Sequence, residues 1–159
     1  MFKLKKTLLP LLLLIAFNAY AQDSKTTDTQ EVQAVVNQFF EGLEKKDSTI
    51  MKSAVMANAQ ISSISLIERP YRTRTRFIED DILRLGVMPE VKEVATDYEI
   101  KVHESIAVAW VPYEFFVNNE FSHCGIDVFT LFKIDGSWKI ISLAYSTETT
   151  NCDMLKESN

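Results

Sequence analysis

Lys133-Ile134-Asp135-Gly136-Ser137-Trp138-Lys139-Ile140 places an Asp-Gly pair between two apolar runs. That dipeptide suits a two-residue hairpin, because both turn positions need positive φ. It predicts one strand from Phe121 to Ile134 and another from Trp138 to Thr147. Asn118-Asn119 supplies a second two-residue turn, adding a strand from Ile106 to Val117. Upstream, Val94, Thr96, Tyr98, Ile100 and Val102 alternate with Ala95, Asp97, Glu99 and Lys101, the period of a half-buried strand. Ile61 to Ile67 alternates as well, until Pro70 interrupts it.

The first half of the chain has the other period. Val32, Val35, Val36, Phe39, Phe40 and Leu43 form one wide apolar stripe, predicting a helix to about Lys46 that starts where Asp28 and Glu31 can form a capping box. Asp47-Ser48 can cap a second, short helix carrying Ile50, Met51, Ala54 and Val55. Phe77, Ile78, Ile82 and Leu85, with Glu79, Asp80 and Asp81 near the positive end, predict a third, stopped by Gly86 and Pro89. Helices first and strands later is an α+β pattern, with three helices packed on the concave face of a curved antiparallel sheet.

The extreme N-terminus has a different purpose. Lys3, Lys5 and Lys6 precede an apolar run from Leu8 to Phe17, and Ala19-Tyr20-Ala21 supplies small residues for cleavage before Gln22. The run is shorter than the roughly 20 residues that span a bilayer. The expected organisation is therefore a signal peptide at 1–21, a flexible tether at 22–30, one domain at 31–149 and a tail at 150–159, in a periplasmic or extracellular setting. Without the three leader lysines, 14 basic residues face 22 acidic ones, a net charge of −8. Such a balance disfavours nucleic acid and anionic lipid as partners.

Helix, short helix, strand, third helix and then long strands ending in Asp135-Gly136-Ser137-Trp138-Lys139-Ile140 resembles the nuclear transport factor 2-like superfamily. The most telling stretches are Val35 to Asp47 and Phe129 to Leu143, and the resemblance covers about Val32 to Thr147. It is strongest to small secreted members of the SnoaL-like and lumazine-binding-like groups. It implies a cone-shaped fold; the superfamily holds isomerases, dehydratases, hydrolases, binders and association domains, so the fold alone names no activity. It also implies a negative. The tyrosine and two aspartates of ketosteroid isomerase fall near Phe39, Ser63 and Val128, which cannot do that acid–base work.

Candidate site residues follow from hairpin register. Uninterrupted two-residue turns set His123 opposite Glu114 and Glu148, and Asp127 opposite Ala144 and Trp110. One face then carries a histidine between carboxylates, which would hold it protonated or let it act as acid–base. Gly125, Ala144 and Ser146 leave room beside it. The opposite face, with Tyr113, Cys124, Val128, Thr130 and Tyr145, is the alternative cavity lining, and a single bulge would exchange the two. The catalytic candidates are His123, Asp127 and Glu114. The ligand-binding candidates are Trp110, Tyr113, Tyr71, Arg72, Arg74, Phe39 and Tyr145. Arg72, Arg74 and Arg76 alternate, so three guanidinium groups share a side if the segment is extended, a fit for an anion; a solvated edge is the simpler reading.

No metal-ligand spacing, phosphate loop, CxxC or nucleophile elbow is present, and no cofactor is expected. Cys124 and Cys152 can pair in an oxidising compartment, provided the tail folds back at Asn151. Large apolar residues at both parities of the last three strands predict a homodimer through the outer sheet face. The expected function is non-catalytic binding of a small, partly apolar molecule, anionic if the arginines take part. The alternatives are a hydratase, isomerase or hydrolase using His123 with Asp127 or Glu114, and a pure dimerisation module.

Overall fold

The computed structural model describes the backbone from Leu9 to Leu155 and the side chains from Thr27 to Asp153. Residues 1–8, including the lysines of the expected signal peptide, and residues 156–159 lie outside the described residues. No helix among the described residues is long and apolar enough to cross a membrane.

Three helices cover one face of a seven-stranded sheet. Helix α1 (Leu9–Glu44) is followed by α2 (Ser48–Ala54), β1 (Val55–Ser65), β2 (Arg72–Phe77) and α3 (Ile78–Ile82). Strands β3 (Val91–Ala95), β4 (Glu99–His103), β5 (Ile106–Val117), β6 (Glu120–Ile134) and β7 (Ser137–Thr147) complete the sheet. Its order is β2-β1-β7-β6-β5-β3, with β4 also paired to β5. The local signals behave as their chemistry requires. Asp47 accepts from the backbone N–H groups of Thr49 and Ile50, capping α2. Asn118, Asn119, Asp135 and Gly136 all have positive φ, as two-residue hairpin turns demand.

Four expectations need correction. The sheet is mixed, because β1 lies parallel to β7 while the other pairs are antiparallel. That pairing joins residues some 80 positions apart in the chain (Ile61 beside Leu143), beyond the reach of hairpin arithmetic. The segment read as one strand from Val94 to Val102 is two, β3 and β4, both paired along β5; Thr96 still bonds Pro112 through its amide and its hydroxyl, and the interruption follows it at Asp97 and Tyr98. Helix α1 runs through the expected tether at 22–30, so Asp28 and Glu31 do not start it. They instead accept from Lys133, and Asp28 also from the indole of Trp138, tying α1 to the β6–β7 hairpin. The third helix is a short one, and a separate turn of helix carries Leu85.

The core lies between α1 and the concave face. Val32, Val36, Phe39, Phe40 and Leu43 are buried along α1, and Phe39 and Phe40 both meet Phe129 edge-on at 5.7 Å. Ala107, Ala109 and Val111 of β5 present small side chains under the helix, while Leu131, Trp138 and Ile140 fill the closed end. Gly42 has a positional cause: a β-carbon there would sit 2.8 Å from the backbone nitrogen of Met51, so α2 could not pack as closely. Toward the other end the apolar filling runs out, and a cavity remains.

Candidate functional site

Two bulges decide which side chains meet in that cavity. The β5–β6 register slips by one residue between Phe115/His123 and Phe116/Phe121, and the β6–β7 register slips between Thr130 and Leu131. An extra residue in one strand turns everything beyond it to the other face. His123 therefore lies opposite Phe115 and Asp127 opposite Val111 and Tyr145. Glu114 and Glu148 pair with Cys124 instead. The two faces weighed in the sequence are thus mixed: His123 and Asp127 share the concave side with Tyr113 and Tyr145.

The resulting cavity has a volume of about 210 Å³. Phe39 and Leu43 from α1, Met51 from α2 and Leu143 from β7 form its apolar walls. Its polar groups are Arg76, Asp81, Glu93, Tyr113, His123, Asp127, Tyr145 and Thr147. Asp127 is only 1% exposed, and no donor among the described residues reaches its Oδ2. The carboxyl group of Glu93, from β3, interacts with the Asp127 carboxyl group, leaving Oδ2 without a partner among the described residues. With Asp127 buried and Glu93 half-buried beside it, the two carboxyl groups cannot both ionise cheaply. Burial pushes Glu93 up to about 7, and burial together with the Glu93 charge holds Asp127 well above the usual carboxylate range. Both shifts favour a proton shared between the two carboxyl groups.

Around the pair the other groups are engaged. The Tyr113 hydroxyl donates to the carbonyl oxygen of Ser146 at 2.7 Å. Gly125 makes this possible, because a β-carbon there would stand 1.9 Å from that oxygen and 2.9 Å from the Tyr113 ring. The room expected at Gly125 is therefore filled by Tyr113 rather than left for a ligand. Arg76 Nε lies 2.7 and 2.9 Å from the two Asp81 oxygens, and its guanidinium also contacts the Tyr145 hydroxyl at 3.5 Å. His123 stacks on Phe115 with ring centres 4.8 Å apart and meets Tyr113 edge-on. Burial lowers its proton affinity, the reverse of the rise expected from flanking carboxylates, because those carboxylates sit on the other face.

Of the ligand-binding candidates, the structure brings Phe39, Tyr113 and Tyr145 to the cavity along with His123 and Asp127. Trp110 projects from the opposite, convex face, 46% exposed, over a shallow groove with Ile126, Val128 and Ala144. Tyr71, Arg72 and Arg74 are exposed at the β2 edge, where Arg72 faces Glu68 across 3.6 Å. Only Arg76, the innermost of the alternating arginines, reaches the cavity. Sequence reasoning missed Glu93 and Asp81. Glu93 did carry a signal, since it shares parity with Val91 and Ala95 on a strand whose odd residues face the core. Among the described residues no group of three or more His, Cys, Asp or Glu could hold a metal ion.

Cys124 and Cys152 form a disulfide, with Cα atoms 5.8 Å apart. Asn151, at φ 64°, makes the reversal that returns the tail to β6. The bond clamps the strand end immediately beside His123 and Gly125.

A family model described as "Putative lumazine-binding" matches residues 27–146. The chain belongs to this family. No curated protein matches it. Among solved structures it is similar to an NTF2-like protein of unknown function from Shewanella baltica OS155, at 21% identity over 79% of this chain and 97% of that one, with a TM-score of 0.57. It is similar also to an NTF2-like superfamily protein from Salmonella enterica serovar Typhimurium, at 19% identity, 79% and 94% coverage, and a TM-score of 0.61. An NTF2-like protein with a cystatin-like fold from Novosphingobium aromaticivorans aligns at 10% identity, 87% and 95% coverage, and a TM-score of 0.65. These likenesses establish an NTF2-like fold for this member of the family.

Proposed function

We propose that this domain is exported and binds a small, partly apolar molecule in the cavity between α1 and the concave face of the sheet. The observation that carries the reading is Asp127, a buried carboxyl group lining an apolar cavity with one oxygen unpartnered by the described residues. An orphaned buried polar atom costs about 1–3 kcal/mol, which a ligand donor would recover. Apolar walls with a few convergent polar groups are the usual make-up of a ligand pocket. The family's description, lumazine-binding, agrees with a small-molecule ligand. Native mass spectrometry of protein purified without denaturation tests the reading. A bound mass lost on denaturation, and lost in Asp127→Asn, is expected; a bare mass with no gain in melting temperature across an aromatic fragment library would overturn it.

A second reading, acid–base catalysis in the same cavity, is favoured by Glu93 titrating near 7 beside Asp127 and His123. It assigns Glu93 the role first expected of Glu114. Turnover of a carbonyl or hydroxy substrate that vanishes in both Glu93→Gln and Asp127→Asn would establish it.

Export rests on the leader and is supported by the disulfide. The mature chain then begins at Gln22. A homodimer through the convex face is part of the same proposal, because Ile106, Val108, Trp110, Phe132 and Ile134 are exposed there.

A further inference from the structure

Charge within the cavity is unbalanced. Arg76 is the cation that lines it among the described residues, and its guanidinium is committed to Asp81 by the contacts given above. Burial lowers the proton affinity of His123, so it is a poor counter-ion for the buried carboxyl groups. Glu93 and Asp127 are left with no counter-ion, on a chain whose formal net charge is already −5. Two neighbouring hydroxyls are committed elsewhere, since Tyr113 donates to the carbonyl of Ser146 and Tyr98 donates to Asn37. The pair is neutral only with both carboxyl groups protonated, and each proton it gives up leaves a negative charge in the cavity wall with no cation beside it, a cost that an entering positive group would relieve.

We infer that the cavity takes a small organic cation: an amidinium, guanidinium or protonated amine carried on a flat apolar body. Its N–H donors would lie on Glu93 and Asp127, and its ring would lie among Phe39, Phe115 and Leu143. This rests on the ligand-binding reading and narrows it to a charge class. The anionic ligand that the arginine run suggested is disfavoured, since Arg72 and Arg74 stand at the solvated β2 edge and Arg76 is already paired. Two parallel N–H donors on a carboxyl group give both charge and direction. A neutral amide would supply a donor without the charge, and a carboxylate would add a third negative group to the pair.

Benzamidine, benzamide and benzoate share a ring and differ in charge, so they separate these terms. The experiment is an amide-detected NMR titration of the oxidised mature protein with each. Benzamidine should bind and shift residues 93, 113, 123 and 127; benzamide should bind at least tenfold more weakly and benzoate not measurably. Glu93→Gln and Asp127→Asn should each weaken benzamidine at least tenfold while leaving benzamide within about threefold, a pattern that simple unfolding would not give. Benzamide or benzoate binding in the cavity as tightly as benzamidine would overturn the cation while keeping the cavity as a binding site. Benzamidine shifts confined to the groove at Trp110, or no benzamidine binding at all, would also overturn it. Failure of all three probes together with a bare native mass would remove the ligand-binding reading as well.

Discussion

Replacing Glu93 by Gln should stabilise the protein at alkaline pH and change little in acid. Glu93 is raised from an ordinary 4.5 to about 7 by burial, against a hydrogen bond from Asp127 that acts the other way. A folded-state affinity higher than the unfolded one means the folded protein gains from the proton. The contribution is fully present below the unfolded value of 4.5 and is lost as pH rises through 7. The difference corresponds to about 3 kcal/mol between pH 4.5 and pH 8. Gln cannot ionise, so the variant avoids this loss and also lets Asp127 ionise without a charged neighbour. His123 acts in the opposite sense, since its lowered affinity makes its contribution present above about 6.5 and lost in acid. Both proteins retain His123, so it cancels in the comparison. Urea unfolding followed by tryptophan fluorescence, with the disulfide intact, should show the variant up to about 3 kcal/mol more stable at pH 8 and within about 1 kcal/mol at pH 5. A difference independent of pH, or a variant less stable at pH 8, would refute the shared-proton pair.

Three further outcomes are expected. Cys152→Ser opens the 28-residue span closed by the disulfide, and the chain-entropy relation puts the cost at about 3–4 kcal/mol, measurable by the same unfolding curves. Gly125→Ala drives a β-carbon into the Ser146 carbonyl and the Tyr113 ring; it should cost about 2 kcal/mol or more by loss of the Tyr113 hydrogen bond and overpacking, visible as a lowered urea midpoint. Trp110→Glu, on the convex face, should convert a dimer seen by light scattering into a monomer while leaving ligand binding in the cavity intact.

What could be read in the chain was local. The helical stripe from Val32 to Leu43, the Asp47 cap and both positive-φ turns follow from period and turn chemistry, and together they fixed helices against a curved sheet. The site was only half legible. His123 and Asp127 were proposed from hairpin register and do line the cavity, but the neighbours that register gave them are not the ones the structure shows. A bulge leaves no sequence mark as clear as Asp-Gly, and two of them moved Glu114 and Glu148 away while bringing in Tyr113 and Tyr145. Glu93 required tertiary knowledge of a different kind. Strand β3 joins the sheet at its far edge, and nothing within Val91–Ala95 says that its odd side chains meet Asp127. The parallel β1–β7 pairing that brings Ile61 to the cavity wall was hidden for the same reason.

The most direct test of a cavity built to hold a ligand on the Glu93–Asp127 pair is high-resolution electron density for protein purified natively. A molecule should occupy the space beneath α1, with a donor within about 3 Å of Asp127 Oδ2. Density showing that space closed by the protein's own side chains, with Asp127 satisfied by a protein donor, would contradict it.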